Sequence, residues 1–256
     1  MNNFILTNDP DHETLQLIKP IYKSLNEANI KITTAVFCTM EDDGSDLSKH
    51  CHQGETACLE DSEYRDFILK QRDEGHEIAF HGYSQVSNTR DKFLEGLEIY
   101  KDIFGEYPHT YMEHGGKKGH HPDSGCKKET LAWLGKTKGS EYYIKDIIKE
   151  KIKCVWAYHS LLDDEYEACN KSDYFWEENE SSFFRRYRIH YADLVTKLGE
   201  LFIGYTHFGY KGYIDERGTR WEYWADGNHK NIINNIKVLC KRHQFSPTTI
   251  RDYLND

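Results

Sequence analysis

The sequence predicts an α/β fold built on parallel strands. Short apolar, β-branched runs recur along the chain, and segments with apolar residues at helical spacing separate them. Several of the runs also end directly in histidine or in carboxylates. In folds of this class the loops at the carboxyl ends of the strands converge on one pocket, so polar residues there are where chemistry collects.

Phe4-Ile5-Leu6 reads as the first strand and ends in Thr7-Asn8-Asp9-Pro10-Asp11-His12-Glu13. Leu15, Leu17, Ile18, Ile21 and Leu25 then recur at helical spacing, predicting a helix over 13–25. The β-branched run from Ile30 to Phe37 predicts a second strand. Residues 40–60 are polar and aperiodic, which predicts a long rim loop serving as a lid or substrate wall. Asp61-Ser62 opens a helix through Gln71. Ile78-Ala79-Phe80, bounded by Gly75 and Gly82, reads as a buried strand that delivers His81. Ser87-Asn88 caps a helix up to Phe104, and the strand Thr110-Tyr111-Met112 delivers Glu113 and His114. Tyr142–Ile144 and Cys154–His159 read as short strands, and Leu201–Thr206 as a strand ending in His207. The chain closes with a helix over Asn231–Cys240 and another from Pro247 to Leu254, with Ser246 as its cap.

A chain of 256 residues with this apolar content fits one domain, spanning 1–256. Its formal net charge of -10 argues against a nucleic-acid partner, whose phosphates it would repel. The seven cysteines are odd in number and lack zinc-knuckle spacing, which predicts free thiols in a reducing compartment. His50-Cys51-His52 with Cys58 offers no second ligand pair for a structural zinc. The first residues carry neither a basic region nor a long apolar run, so the expectation is a cytoplasmic protein without membrane insertion. The 18 tyrosines and 5 tryptophans suit sugar faces as well as a core.

By itself His81 reads as a ligand, a base or a hydrogen-bonded loop residue. Asp9-x-Asp11 reads either as a pair that binds a cation and takes a proton, or as an Asp-Pro turn capping the next helix. Four segments together resemble the polysaccharide deacetylase (NodB-homology) superfamily. They are the strand ending in Asp9-x-Asp11, the motif Gly75-His76-Glu77-Ile78-x-x-His81, the frame from Gly105 and Pro108 to Tyr111-Met112-Glu113-His114-Gly115, and the run Leu201 to His207.

That resemblance implies a distorted (β/α) barrel of seven or eight mostly parallel strands that hydrolyses the acyl group from an N-acylated sugar, polysaccharide or glycolipid precursor. It gives Asp9 the role of general base, His207 that of general acid, and Asp11 and His81 those of metal ligands. The ion is divalent, with zinc implied and iron, cobalt or nickel also suited to the donors. Three positions depart from the pattern. Gln85 stands where a second ligand histidine belongs, Met112 where an arginine belongs, and His114 where a proline belongs. His114 follows its strand as His81 does, which makes it the candidate replacement ligand. Gln85 and Met112 leave open a catalytically silent carbohydrate-binding protein, and a metal-free hydrolase of a non-sugar amide is the remaining reading.

Overall fold

A computed structural model of the chain describes residues 2–11, 13–41, 56–85, 88–112, 138–156, 201–209 and 229–255. Its strands are β1 (Asn2–Asp9), β2 (Thr33–Phe37), β3 (Glu77–Gly82), β4 (Thr110–Met112), β5 (Cys154–Trp156), β6 (Leu201–His207) and β7 (Phe245–Thr248). Its helices are α1 (Leu15–Glu27), α2 (Ser62–Asp73), α3 (Arg90–Phe104), α4 (Lys145–Lys151), α5 (His229–His243) and α6 (Ile250–Asn255). In the first unit β1 lies between β6 and β2, with β7 also paired to β1, and in the second the strand order is β5-β4-β3. The α/β alternation expected from the sequence is therefore observed, with seven strands among the described residues. The described chain divides into two compact units, residues 1–34, 70–77 and 172–256 in the first and 35–69 and 78–171 in the second.

In the first unit β1 is the strand that the others share. One edge of β1 pairs with β6 along its length, from Asn3↔Leu201 to Asp9↔His207. Its other edge is divided between β7, from Asn2↔Phe245 to Ile5↔Thr248, and β2, at Thr7↔Thr33 and Asn8↔Thr34. All these ladders are parallel. Phe4, Ile5 and Leu6 are all buried, as a parallel strand covered on both faces requires. Helix α1 buries Ile18, Ile21, Tyr22 and Leu25. It ends at Glu27 with Ala28 as its C-cap, and the next residue, Asn29, has a φ of 53°, the left-handed conformation that lets Ile30 N–H reach back to Leu25 O at 3.0 Å.

The end of this unit departs from the expected single helix over 247–254. Pro247 lies in β7 opposite Phe4, and the open edge of β1 takes the segment as a strand. Proline is tolerated there because β7 has only one partner among the described strands. The following helix α6 is capped by Thr249, whose Oγ1 accepts from Asp252 N–H at 3.0 Å, and not by Ser246.

In the second unit β3, β4 and β5 pair in parallel through Phe80↔Tyr111 and Tyr111↔Val155. Phe80 packs edge to face with Phe93 at 5.3 Å, and Phe93 in turn with Tyr111 at 5.3 Å. Helix α3 comes this close because Gly96 faces β3, where a Cβ would stand 3.0 Å from the Phe80 ring. Residues 142–144 are not the expected strand. Tyr143 N–H donates to Ser140 O in a turn, and Ile144 leads straight into α4.

Cys154 is disulfide-bonded, which overturns the expectation of thiols throughout. Pairing depends on approach in space, which spacing along the chain does not disclose. The cysteines therefore no longer support a reducing compartment. Cys38, Cys58 and Cys240 are free. Among the described residues no helix is long and apolar enough to cross a membrane.

Candidate active site at the ends of two paired strands

Asp9 is the last residue of β1 and His207 the last of β6, and the parallel register sets them side by side. His207 Nε2 lies 3.5 Å from Asp9 Oδ2 and 3.9 Å from Asp11 Oδ2. Asp11 reaches the same point through a tight turn. Its N–H donates to Asp9 Oδ1 at 3.2 Å, and Glu13 N–H closes the turn on Pro10 O at 3.0 Å. The cap of α1 is Thr14, whose Oγ1 accepts from Leu17 N–H at 3.4 Å. Neither aspartate is therefore the helix cap, and the turn instead gathers both carboxylates at one strand end.

Asp9 and His207 are buried and Asp11 is half-buried, and one ligand atom from each falls within 4.8 Å of the others. Two carboxylates and an imidazole are a donor set that first-row divalent ions accept. Two ligands about 2.1 Å from a tetrahedral ion stand about 3.4 Å apart, close to the separation of His207 from Asp9. The residues present thus fit a divalent ion.

Behind these three groups lies a buried amide that the sequence reading passed over. Asn8 Nδ2 donates to Glu13 Oε1 at 2.5 Å and to Thr34 Oγ1 at 2.9 Å, while Asn8 Oδ1 accepts from Phe208 N–H at 2.9 Å. Glu13 is fully buried beside Tyr22, whose phenol is raised well above its ordinary value by burial first and by the Glu13 charge second. The signal available in the sequence was a polar amide at the end of an apolar strand.

His81 lies in the second unit, buried on β3, with its ring 4.8 Å from that of Phe37. Its Nδ1 is 2.8 Å from Met112 O. A carbonyl only accepts, so the neutral ring carries its proton on Nδ1 and its lone pair on Nε2, the tautomer in which a carbonyl-oriented histidine ligates metals. Met112, where the family pattern has arginine, thus serves His81 through its backbone. Gln85 is buried and its amide is engaged elsewhere. Its Oε1 accepts from Thr56 Oγ1 at 3.3 Å, and its Nε2 lies 3.4 Å from Met40 Sδ. Gln85 therefore links Met40 and Thr56, both within the expected 40–60 rim loop. His114, residues 50–52 and His159 lie outside the described residues.

His76 and Glu77, which match the family motif, hold the fold. His76 Nδ1 accepts from Ile32 N–H at 3.2 Å, and its Nε2 donates to Asn26 Oδ1 at 2.9 Å. Glu77 Oε2 accepts from Thr33 Oγ1 and from Arg251 N–H, each at 2.8 Å.

With this geometry in place, solved structures can be compared. A probable polysaccharide deacetylase from Pseudomonas aeruginosa aligns over 98% of this chain and 88% of its own, at 11% identity and a TM-score of 0.52. The Puue allantoinase aligns over 98% of this chain and 87% of its own, at 13% identity and a TM-score of 0.51. The likeness shows the fold. It is the fold expected from the sequence, shared with a probable deacetylase and an allantoinase. A family 4 acetyl xylan esterase from Clostridium thermocellum aligns over 43% of this chain at 17% identity and a TM-score of 0.29, so the chain spans about half of that esterase's length, 48%. No protein-family model and no curated protein matches the sequence.

Proposed function

We propose that the protein is a metal-dependent hydrolase that removes an acyl group from an N-acylated sugar or sugar polymer. The observation that carries this reading is the convergence of Asp9, Asp11 and His207 at the carboxyl ends of β1 and β6. The fold shared with a probable polysaccharide deacetylase supports the substrate class.

In this reading Asp11 is the anchoring carboxylate for a divalent ion, with zinc our choice. His81 is its imidazole partner, assigned on the motif and on its tautomer. His114 is the third ligand we assign, on its place after β4 in the sequence. When bound, the ion supplies Lewis acidity to the acyl carbonyl and lowers the pKa of a water molecule. Asp9, oriented by the Asp11 N–H, would take the proton from the attacking water. His207 Nε2, held beside Asp9, then delivers a proton to the departing amine. The step balances, because the C–N bond breaks, a C–O bond forms, and water supplies hydroxyl to the acyl group and hydrogen to the nitrogen.

The same distances favour a second reading, in which Asp9 and His207 are themselves ligands beside Asp11. A His207→Gln variant separates the two. As general acid His207 must be protonated, so its loss removes the basic limb of a bell-shaped pH profile and leaves metal content intact. As a ligand its loss removes metal. The assay is release of acetate from N-acetylated sugars, with allantoin in the same panel, before and after chelation. Turnover of the sugars that chelation abolishes is the expected result. Turnover of none of them, or turnover that survives complete removal of metal, contradicts the proposal.

A further inference from the structure

We infer that Asn8 is a positioning residue that sets the separation between Asp11 and His207 without touching either. This rests on the proposed reading, in which Asp11 is a metal ligand and His207 the acid that works beside it. Asn8 immediately precedes Asp9 on β1, so its side chain leaves the strand on the opposite face from that carboxylate. It is fully buried there, and its amide makes three hydrogen bonds. Two of them reach the elements that carry the other two site residues.

The first is the bond from Nδ2 to Glu13 Oε1. Glu13 is the closing residue of the turn that begins at Pro10, so Asn8 holds the far end of the turn on which Asp11 rides. The near end is held by Asp9 Oδ1 on the Asp11 N–H. The second is the bond from Phe208 N–H to Oδ1. Phe208 directly follows His207 and continues past the last rung of the β1–β6 ladder at Asp9↔His207. At that rung the β1–β6 ladder ends, and the side-chain carbonyl of Asn8 takes over. The third bond, to Thr34 Oγ1 on β2, fixes the amide orientation.

An amide is suited to this task because it accepts at one end and donates twice at the other. Aspartate could not donate to Glu13, and leucine of similar size could do neither. Groups that orient the ligand-bearing elements typically govern metal affinity by about 10–100-fold when removed.

The test is a titration of the metal-free full chain with Co(II), followed by the visible d–d band, in parallel with thermal melting. Four variants join the wild type. Asn8→Ala removes all three bonds. Glu13→Leu removes one of them, while Glu13→Gln keeps an oxygen to accept from Asn8. Asn26→Ala breaks the buried His76 network elsewhere in the unit and serves as a stability control.

The expected result is Co(II) binding by the wild type and a dissociation constant about tenfold or more higher in Asn8→Ala and Glu13→Leu, with an altered band. Glu13→Gln stays near the wild type, and Asn26→Ala melts earlier but binds Co(II) as the wild type does. If Asn8→Ala does not fold, the two Glu13 variants decide, and equal affinity in both overturns the inference. Wild-type affinity in Asn8→Ala, or equal weakening in Asn26→Ala, overturns it while Asp11 stands as a metal ligand. A wild type that binds no Co(II) ends both.

Discussion

The first unit contains two histidine and carboxylate sets made of the same chemistry and put to opposite uses. At the start of β3, both ring nitrogens of His76 are engaged by Ile32 N–H and Asn26 Oδ1, while Glu77 accepts from Thr33 and from the first turn of α6. These groups join chain segments, and the side chains face other parts of the fold. At the ends of β1 and β6, Asp9, Asp11 and His207 face one another instead, with ligand atoms within 4.8 Å. The difference lies in what surrounds each set, because both are buried apart from the half-buried Asp11. The Glu77 carboxylate is used to join distant segments, whereas two carboxylates converging on an imidazole form a place for a cation or a proton.

The largest effect should come from the converging set. Asp9→Asn keeps the size of the side chain and an oxygen for the Asp11 N–H but removes the base, so turnover of an N-acetylated sugar should fall by about 10²–10⁴-fold. Its melting temperature should stay close to that of the wild type. A comparable loss of turnover that tracks a large loss of stability would make Asp9 another structural carboxylate and erase the contrast.

A smaller effect, on stability alone, belongs to the joining set. Glu77→Leu leaves the Arg251 N–H without its carboxylate and should cost about 1–3 kcal/mol in urea unfolding. Metal content should be unchanged. Loss of metal in this variant would show that the two sets are not separable.

The last effect is a pH dependence. Burial first, and the Lys31 charge second, lower the pKa of His76 from 6.5 to about 3. Because the folded value is depressed, the unfolded chain binds the extra proton between these limits, and stability is full above pH 6.5 and lost as pH falls towards 3. Between pH 7.5 and pH 5 this contributes about 2 kcal/mol. Urea melts of His76→Gln should show a shallower acid dependence than the wild type by about that amount, and identical slopes would remove His76 from the account.

Much of the framework was legible in the sequence because it rests on local pattern. The apolar runs of β1, β3, β4 and β6 are short and cleanly bounded, and each was placed within a few residues. Helix ends were harder. Thr14, Thr89 and Thr249 precede α1, α3 and α6, where the sequence left an aspartate open as the first cap and pointed to Asn88 and Ser246 for the others, since several neighbouring polar residues can all cap and only packing chooses among them. Asn88 accepts from Tyr83 and Ser84 N–H groups instead. The strand at Pro247 was hidden because its only cause is the open edge of β1 far away in sequence. The candidate site was legible as residue types at strand ends, while the support from Asn8 and Glu13 was not, because it depends on the turn that returns Glu13 to β1.

Anomalous diffraction at the zinc edge, from crystals of the full chain grown with zinc, tests the central claim most directly. The account predicts one strong peak within bonding distance of an Asp11 carboxylate oxygen, about 2.0–2.2 Å. No peak at Asp11, together with full zinc occupancy at His50 and His52, would contradict it.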